Sequence, residues 1–234
     1  MTTYLTRSNT PLFNCPDLTT IFPRGKKQLL DEKEHCRALE TVLFPDREIT
    51  VLNDFGNQSV QVQTSDYPSK EPLYTDKRFL KELTPRSKSA PFLDKNTLIS
   101  NLYELVNTPY IWGSNFPNGV EELLLYYPPE RTLTPIEKTR WTFSGVDCSG
   151  LLYFVTVGYT PRNTSELYQF GDEIAFSDLR PLDLIVWKGH VIIMIADGMT
   201  IEAHERFGVR LLPLLEQVNL INECGAKFRR WYKE

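Results

Sequence analysis

The sequence predicts an α+β protein in which a short cysteine-bearing helix packs on an antiparallel sheet, preceded by a small β-barrel of short strands. Three observations point there. Val146-Asp147-Cys148-Ser149-Gly150 runs directly into the apolar stretch Leu151-Leu152-Tyr153-Phe154-Val155, and Gly158 follows. Two short β-branched runs, Leu184–Trp187 and Val191–Ile195, flank Gly189-His190, as strands do. The N-terminal third holds β-like runs, Ile49–Leu52 and Val60–Val62, broken by Asp54-Phe55-Gly56-Asn57.

The apolar stretch after Cys148 fits a buried helix or a buried strand, which periodicity alone does not separate. Asp147 as N-cap and Gly158 as a stop favour a short helix. Cys148 then lies in the first turn, where the helix dipole and unpaired N–H groups favour a thiolate and could help hold an oxyanion. The bland alternative is an inert core thiol. Its neighbours Asp147 and Ser149 are poor core company, which favours a nucleophile. Cys15, Cys36 and Cys224 have no comparable setting and read as ordinary thiols; four scattered cysteines suggest no disulfide framework.

A thiol nucleophile needs a base, and the chain offers His35, His190 and His204. His35 stands among Asp31, Glu32, Lys33 and Glu34, reads as part of a charged exposed face, and is given no role. His190 opens a strand and is the expected base, the alternative being a satisfied buried histidine. The next run, Thr200-Ile201-Glu202-Ala203-His204, alternates, so Glu202 and His204 share one face and either could orient the imidazole. Register decides between them. A tight two-residue turn at Asp197-Gly198 puts Glu202 on the face opposite His190. A five-residue loop from Met194 to Gly198 puts Glu202 directly across from it, and the active-site reading therefore expects the longer loop.

These motifs, in this order from about Asn101 to the C-terminus, resemble the NlpC/P60 family of papain-like cell-wall peptidases. Thr108-Pro109-Tyr110-Ile111-Trp112-Gly113 is similar to its P-Y-x-W-G, and Gly145–Gly150 to its D-C-S-G. Pro161-Arg162-Asn163-Thr164-Ser165 is similar to its P-R-x-S, and Leu179-Arg180-Pro181-Leu182-Asp183-Leu184 to its L-x-P-G-D-L. Gly189-His190-Val191 is similar to its histidine strand, and Ile201-Glu202-Ala203 to the stretch carrying the third polar residue. The resemblance implies Cys148 as nucleophile, His190 as base and Glu202 as orienting residue, His204 being the runner-up. It also implies Tyr110, Asp147 and Ser149 as substrate-binding residues, Asp147 and Ser149 for the free amine of a stem-peptide L-alanine and Tyr110 beside the thiol. The implied reaction is hydrolysis of the γ-D-glutamyl–L-diamino acid bond of bacterial peptidoglycan peptides, without metal or organic cofactor. Acyl transfer by the same Cys–His pair and a non-catalytic peptidoglycan-binding module are the rival readings. Four departures stand out: Ser114 for the second Gly of W-G-G, Leu182 for the Gly of P-G-D, Ile192 where Gly often follows H-V, and the stretch Ser114 to Phe143, which separates motifs usually close together. Within that stretch, Glu121–Tyr127 followed by Pro128-Pro129 reads as a short helix or a loop walling a cleft.

The 234 residues suffice for two modest domains. The expected division is 1–84, an SH3-like β domain with an N-terminal extension, and 85–234, the NlpC/P60 catalytic domain, with Thr84 to Pro91 as linker. The SH3 likeness rests on Ala38–Phe44 and the strand–turn–strand pattern after it. A formal net charge of −4 offers no global attraction to nucleic acid, and no apolar segment approaches bilayer length. Met1-Thr2-Thr3-Tyr4-Leu5-Thr6-Arg7 lacks the apolar core of a secretory signal. A cytoplasmic location, a role in peptide recycling or remodelling, and a stem peptide with a free N-terminal L-Ala as partner are the expectations that follow.

Overall fold

The computed structural model describes residues 1–83 and 94–233. The chain forms two compact units, Met1–Ser89 with Ile111–Gly145 and Ala90–Tyr110 with Val146–Glu234. The expected linker, Thr84 to Pro91, lies outside the described residues.

The first unit is built on strands β1 (Thr2–Thr6), β2 (Thr10–Phe13), β3 (Leu39–Leu43), β4 (Glu48–Asp54), β5 (Ser59–Gln63), β6 (Leu73–Asp76) and β7 (Leu80–Glu82). They pair antiparallel in the order β3-β2-β6-β5-β4-β1-β7. The end strands β3 and β7 do not pair, so no closed barrel is found among the described residues. The β-like runs read from the sequence sit inside β4 and β5. Their alternation puts Ile49, Val60 and Val62 into a core with Leu12, Leu43 and Leu73.

Residues 111–145 cluster with this unit, although the sequence reading assigned them to the second domain. Polar pairing and aromatic packing explain the attachment. Asn115 reads the backbone of Val42 in both senses, accepting from its N–H at 3.0 Å and donating to its carbonyl at 2.9 Å. The Tyr127 hydroxyl donates to fully buried Asp76 at 2.6 Å, and Phe143 packs against Phe13 and Phe22. The segment contains the expected short helix, Glu122–Tyr126, and an unexpected one, Pro135–Trp141, which opens with a Thr134/Glu137 capping box. Gly113 is required where it stands. Its φ is +73°, and a Cβ there would lie 2.3 Å from the Leu39 carbonyl oxygen. His35 is buried rather than exposed, stacked on Trp112 with ring centroids 5.9 Å apart.

Two-residue strands Asn115–Phe116 (β8) and Gly145–Val146 (β9) come next in the chain. The second unit then carries β10 (Asp172–Glu173), β11 (Leu184–Trp187), β12 (His190–Ala196), β13 (Met199–His204), β14 (Gly208–Pro213) and β15 (Lys227–Arg230). They form an antiparallel sheet in the order β10-β15-β11-β12-β13-β14. Strand β12 reads as a continuous apolar run because both of its faces are covered. Val191, Ile193 and Ile195 meet Leu151, Leu152 and Val155 of the helix Cys148–Val155, each such side chain contributing about 1.5–3 kcal/mol by burial. Ile192 and Met194 pack on the other side with Ile185 and with Ile221 of the helix Leu214–Glu223. Ile192, one of the departures noted above, is thus a core residue.

Leu182 shows why a glycine suits its position. It is fully buried at φ +76°, in the left-handed region, with its N–H bonded to the Met194 carbonyl and its own carbonyl to Trp231 Nε1. Replacing it with glycine should relieve about 1–2 kcal/mol of backbone strain while losing about 2–5 kcal/mol of packing. Urea denaturation should therefore show Leu182→Gly less stable than wild type, although the substitution restores the resembled pattern.

Candidate active site

Asp147 has the extended backbone of an N-cap, and its Oδ1 accepts from Gly150 N–H at 2.7 Å, which fixes the start of the helix Cys148–Val155. The Cys148 side chain therefore leaves the first turn, nearly buried, with its thiol 3.9 Å from the Gly189 carbonyl oxygen. That carbonyl precedes His190, so the turn between β11 and β12 delivers the imidazole to the sulfur. Cys148 stands close enough to His190 to favour its charged form. The His190 Nε2 lies 2.6 Å from Glu202 Oε2. Burial opposes a charge on His190, but the neighbouring Cys148 sulfur and the hydrogen-bonded Glu202 carboxylate outweigh it and raise the imidazole to about 9.

The strand register differs from the expected one. Ala196 pairs with Met199 across a tight two-residue turn, not a five-residue loop, and a β-bulge between Met194 and Ala196 then shifts the pairing so that Ile193 faces Ile201. One extra residue on β12 reverses which residues share a face. Continued toward the chain start of β12, this register sets Glu202 across from Ile192 and diagonal to His190, on the same side of the sheet. Glu202 is the residue that meets the imidazole. His204 stays at a ring-centroid distance of 6.4 Å from His190, its Nδ1 accepting from Arg206 N–H. Burial, with Arg210 and His190 nearby, holds the His204 pKa below the ordinary value against the opposing pull of Glu202.

Burial pushes Glu202 toward its neutral form, and the His190 and Arg210 partners reverse this, so its pKa lies below the usual carboxylate value. Arg210, directly opposite Glu202 across β13 and β14, donates from Nε and Nη2 to Oε1 at 2.9 and 2.7 Å. Tyr110 joins Val146, two residues before Cys148, in an isolated bridge. Burial first, then the charges of Asp147 and Cys148, raise its hydroxyl well above the ordinary tyrosine value, so it stays a neutral donor.

Asp147 and Ser149 are brought together by a residue to which the sequence reading assigned no role. Arg162, nearly buried, donates to both carboxylate oxygens of Asp147 at 2.9 and 2.7 Å and to Ser149 Oγ at 2.9 Å. The P-R-x-S likeness was the available signal. For Arg210 there was none beyond strand parity, because its partner depends on the β13–β14 register.

No family model and no curated protein matches the sequence. Among solved structures, an NlpC/P60 family protein from Bacillus cereus is similar over 99% of this chain and 100% of its own, at 18% identity and a TM-score of 0.70. NlpC2 from Trichomonas vaginalis aligns over 100% of this chain and 73% of its own at 13% identity and TM-score 0.41. The peptidoglycan hydrolase RipB from Mycobacterium tuberculosis aligns over 60% and 65% at 22% identity and TM-score 0.41. From end to end, the chain shares the fold of the Bacillus cereus NlpC/P60 family protein.

Proposed function

We propose that the protein is a cysteine peptidase that hydrolyses the γ-D-glutamyl–L-diamino acid bond of peptidoglycan stem peptides. The observation that carries this reading is that one imidazole lies 2.6 Å from a buried carboxylate and directly follows Gly189, whose carbonyl oxygen stands 3.9 Å from the Cys148 thiol. The Cys148 sulfur attacks the γ-glutamyl carbonyl while its proton resides on His190. His190 then protonates the leaving amine, and water deprotonated by the same ring cleaves the thioester. Glu202 holds the ring in place. The N–H groups of the helix's first turn and the neutral Tyr110 hydroxyl stabilise the oxyanion.

Asp147 and Ser149 are proposed to meet the free amine of L-alanine. Because Arg162 already matches the Asp147 charge, that recognition works by hydrogen bonding and shape more than by net charge. The first unit is proposed to be an SH3-like domain, and the protein to act in the cytoplasm on peptides being recycled or remodelled.

Mass spectrometry of products from L-Ala-γ-D-Glu-diamino acid peptides tests the reading. The expected result is release of L-Ala-D-Glu, abolished in Cys148→Ala and slowed at least about tenfold by N-acetylation of the peptide, the loss of roughly one good polar contact. A new amide formed with added amine would indicate acyl transfer instead. No turnover of any stem peptide would contradict the peptidase reading, and indifference to acetylation would remove Asp147 and Ser149 from amine recognition.

A further inference from the structure

Glu202 has two oxygens with separate duties. Oε2 meets His190 Nε2 at 2.6 Å, and Oε1 takes both donors of the Arg210 fork. The carboxylate is almost fully buried, and the guanidinium fork is what donates to Oε1. A glutamate also has more side-chain torsions than an aspartate, and one hydrogen bond to an imidazole does not fix them all. Two bonds from a rigid guanidinium on the far oxygen do. The guanidinium is itself braced, lying 4.4 Å from the ring centroid of Phe207 in the β13–β14 turn, and its strand position opposite Glu202 is set by six residue pairs.

We infer that Arg210 is a positioning residue of this site: its fork locks the Glu202 carboxylate so that Oε2 is presented to His190, completing a Cys148–His190–Glu202–Arg210 chain. The inference rests on the thiol–imidazole reading above and adds a fourth member that no sequence motif marks. Lysine would supply the charge without the planar fork and would hold Glu202 less well.

A double-mutant cycle reads this directly, with the second-order rate of Cys148 alkylation by iodoacetamide at pH 7 as the signal, so that no substrate need be known. Arg210→Met should slow alkylation about 10- to 100-fold, the scale of a displaced active-site group. Glu202→Gln should slow it at least as much. The double variant should match Glu202→Gln alone, because both act through one carboxylate. Arg210→Lys should recover part of the loss. Should Arg210→Met be too unstable to assay, Arg210→Lys set against Glu202→Gln/Arg210→Lys carries the same comparison. Independent, multiplying losses in the double variant, or an Arg210→Met rate equal to wild type, would overturn the inference while leaving the Cys–His pair intact. A wild-type rate no faster than that of His190→Ala would instead overturn the underlying pair and Arg210's role with it.

Discussion

Replacing His190 with alanine should lower kcat/KM for stem-peptide hydrolysis at pH 7 by about 10²- to 10⁴-fold, the usual scale for a general acid–base. In the proposed reaction the ring takes up the thiol proton and later protonates the leaving amine, so the loss should fall on kcat rather than KM. Wild-type activity should also decline as pH rises through about 9, where the imidazolium gives up its proton. Stability follows the same sign. A histidine whose pKa is higher in the folded than in the unfolded chain stabilises fully below its unfolded value of about 6.5. That contribution fades as pH rises through about 9. In His190→Ala this alkaline loss should disappear from the denaturation profile.

The largest effect on stability is expected at Arg162. Its guanidinium is nearly buried and spans both oxygens of the Asp147 carboxylate, whose Oδ1 also caps the cysteine helix. Arg162→Met removes the cation and leaves a buried anion, at a cost of about 3–5 kcal/mol. Urea denaturation should show that loss. Adding Asp147→Asn should recover a substantial part of it, because the amide keeps an oxygen for the Gly150 N–H and no longer buries a charge. Equal stability of wild type and Arg162→Met would mean that the ion pair contributes little to holding the start of the cysteine helix.

Local chemistry was readable from the sequence and long-range geometry was not. Asp147 as N-cap and Gly158 as stop favour a short helix over a buried strand, and β12 announces itself by a β-branched run after His190. The register between β12 and β13 was misread because a bulge at one residue changes parity without any composition signal, Ile195 being as apolar as its neighbours. The face of Glu202 was right and its direct partner wrong. Arg162 and Arg210 were given no role because each finds its carboxylate across a turn or a strand pair, where the distance in space is unrelated to spacing in sequence. The attachment of residues 111–145 to the first unit escaped for the same reason. It depends on Asn115 meeting Val42 and on Tyr127 meeting Asp76, contacts about 50–70 positions apart in the chain. Leu182, noted as a departure, acquired meaning only when its φ was known.

The account depends above all on the imidazole of His190 sharing its proton with the sulfur of Cys148. Following the ring's ¹H–¹⁵N signals by NMR from pH 5 to 10 measures that coupling without substrate. The titration should centre near 9 in the wild-type protein and fall in Cys148→Ala, where burial acts on the ring without the sulfur to oppose it. A midpoint near the ordinary histidine value of about 6.5, unmoved by the loss of the sulfur, would contradict it.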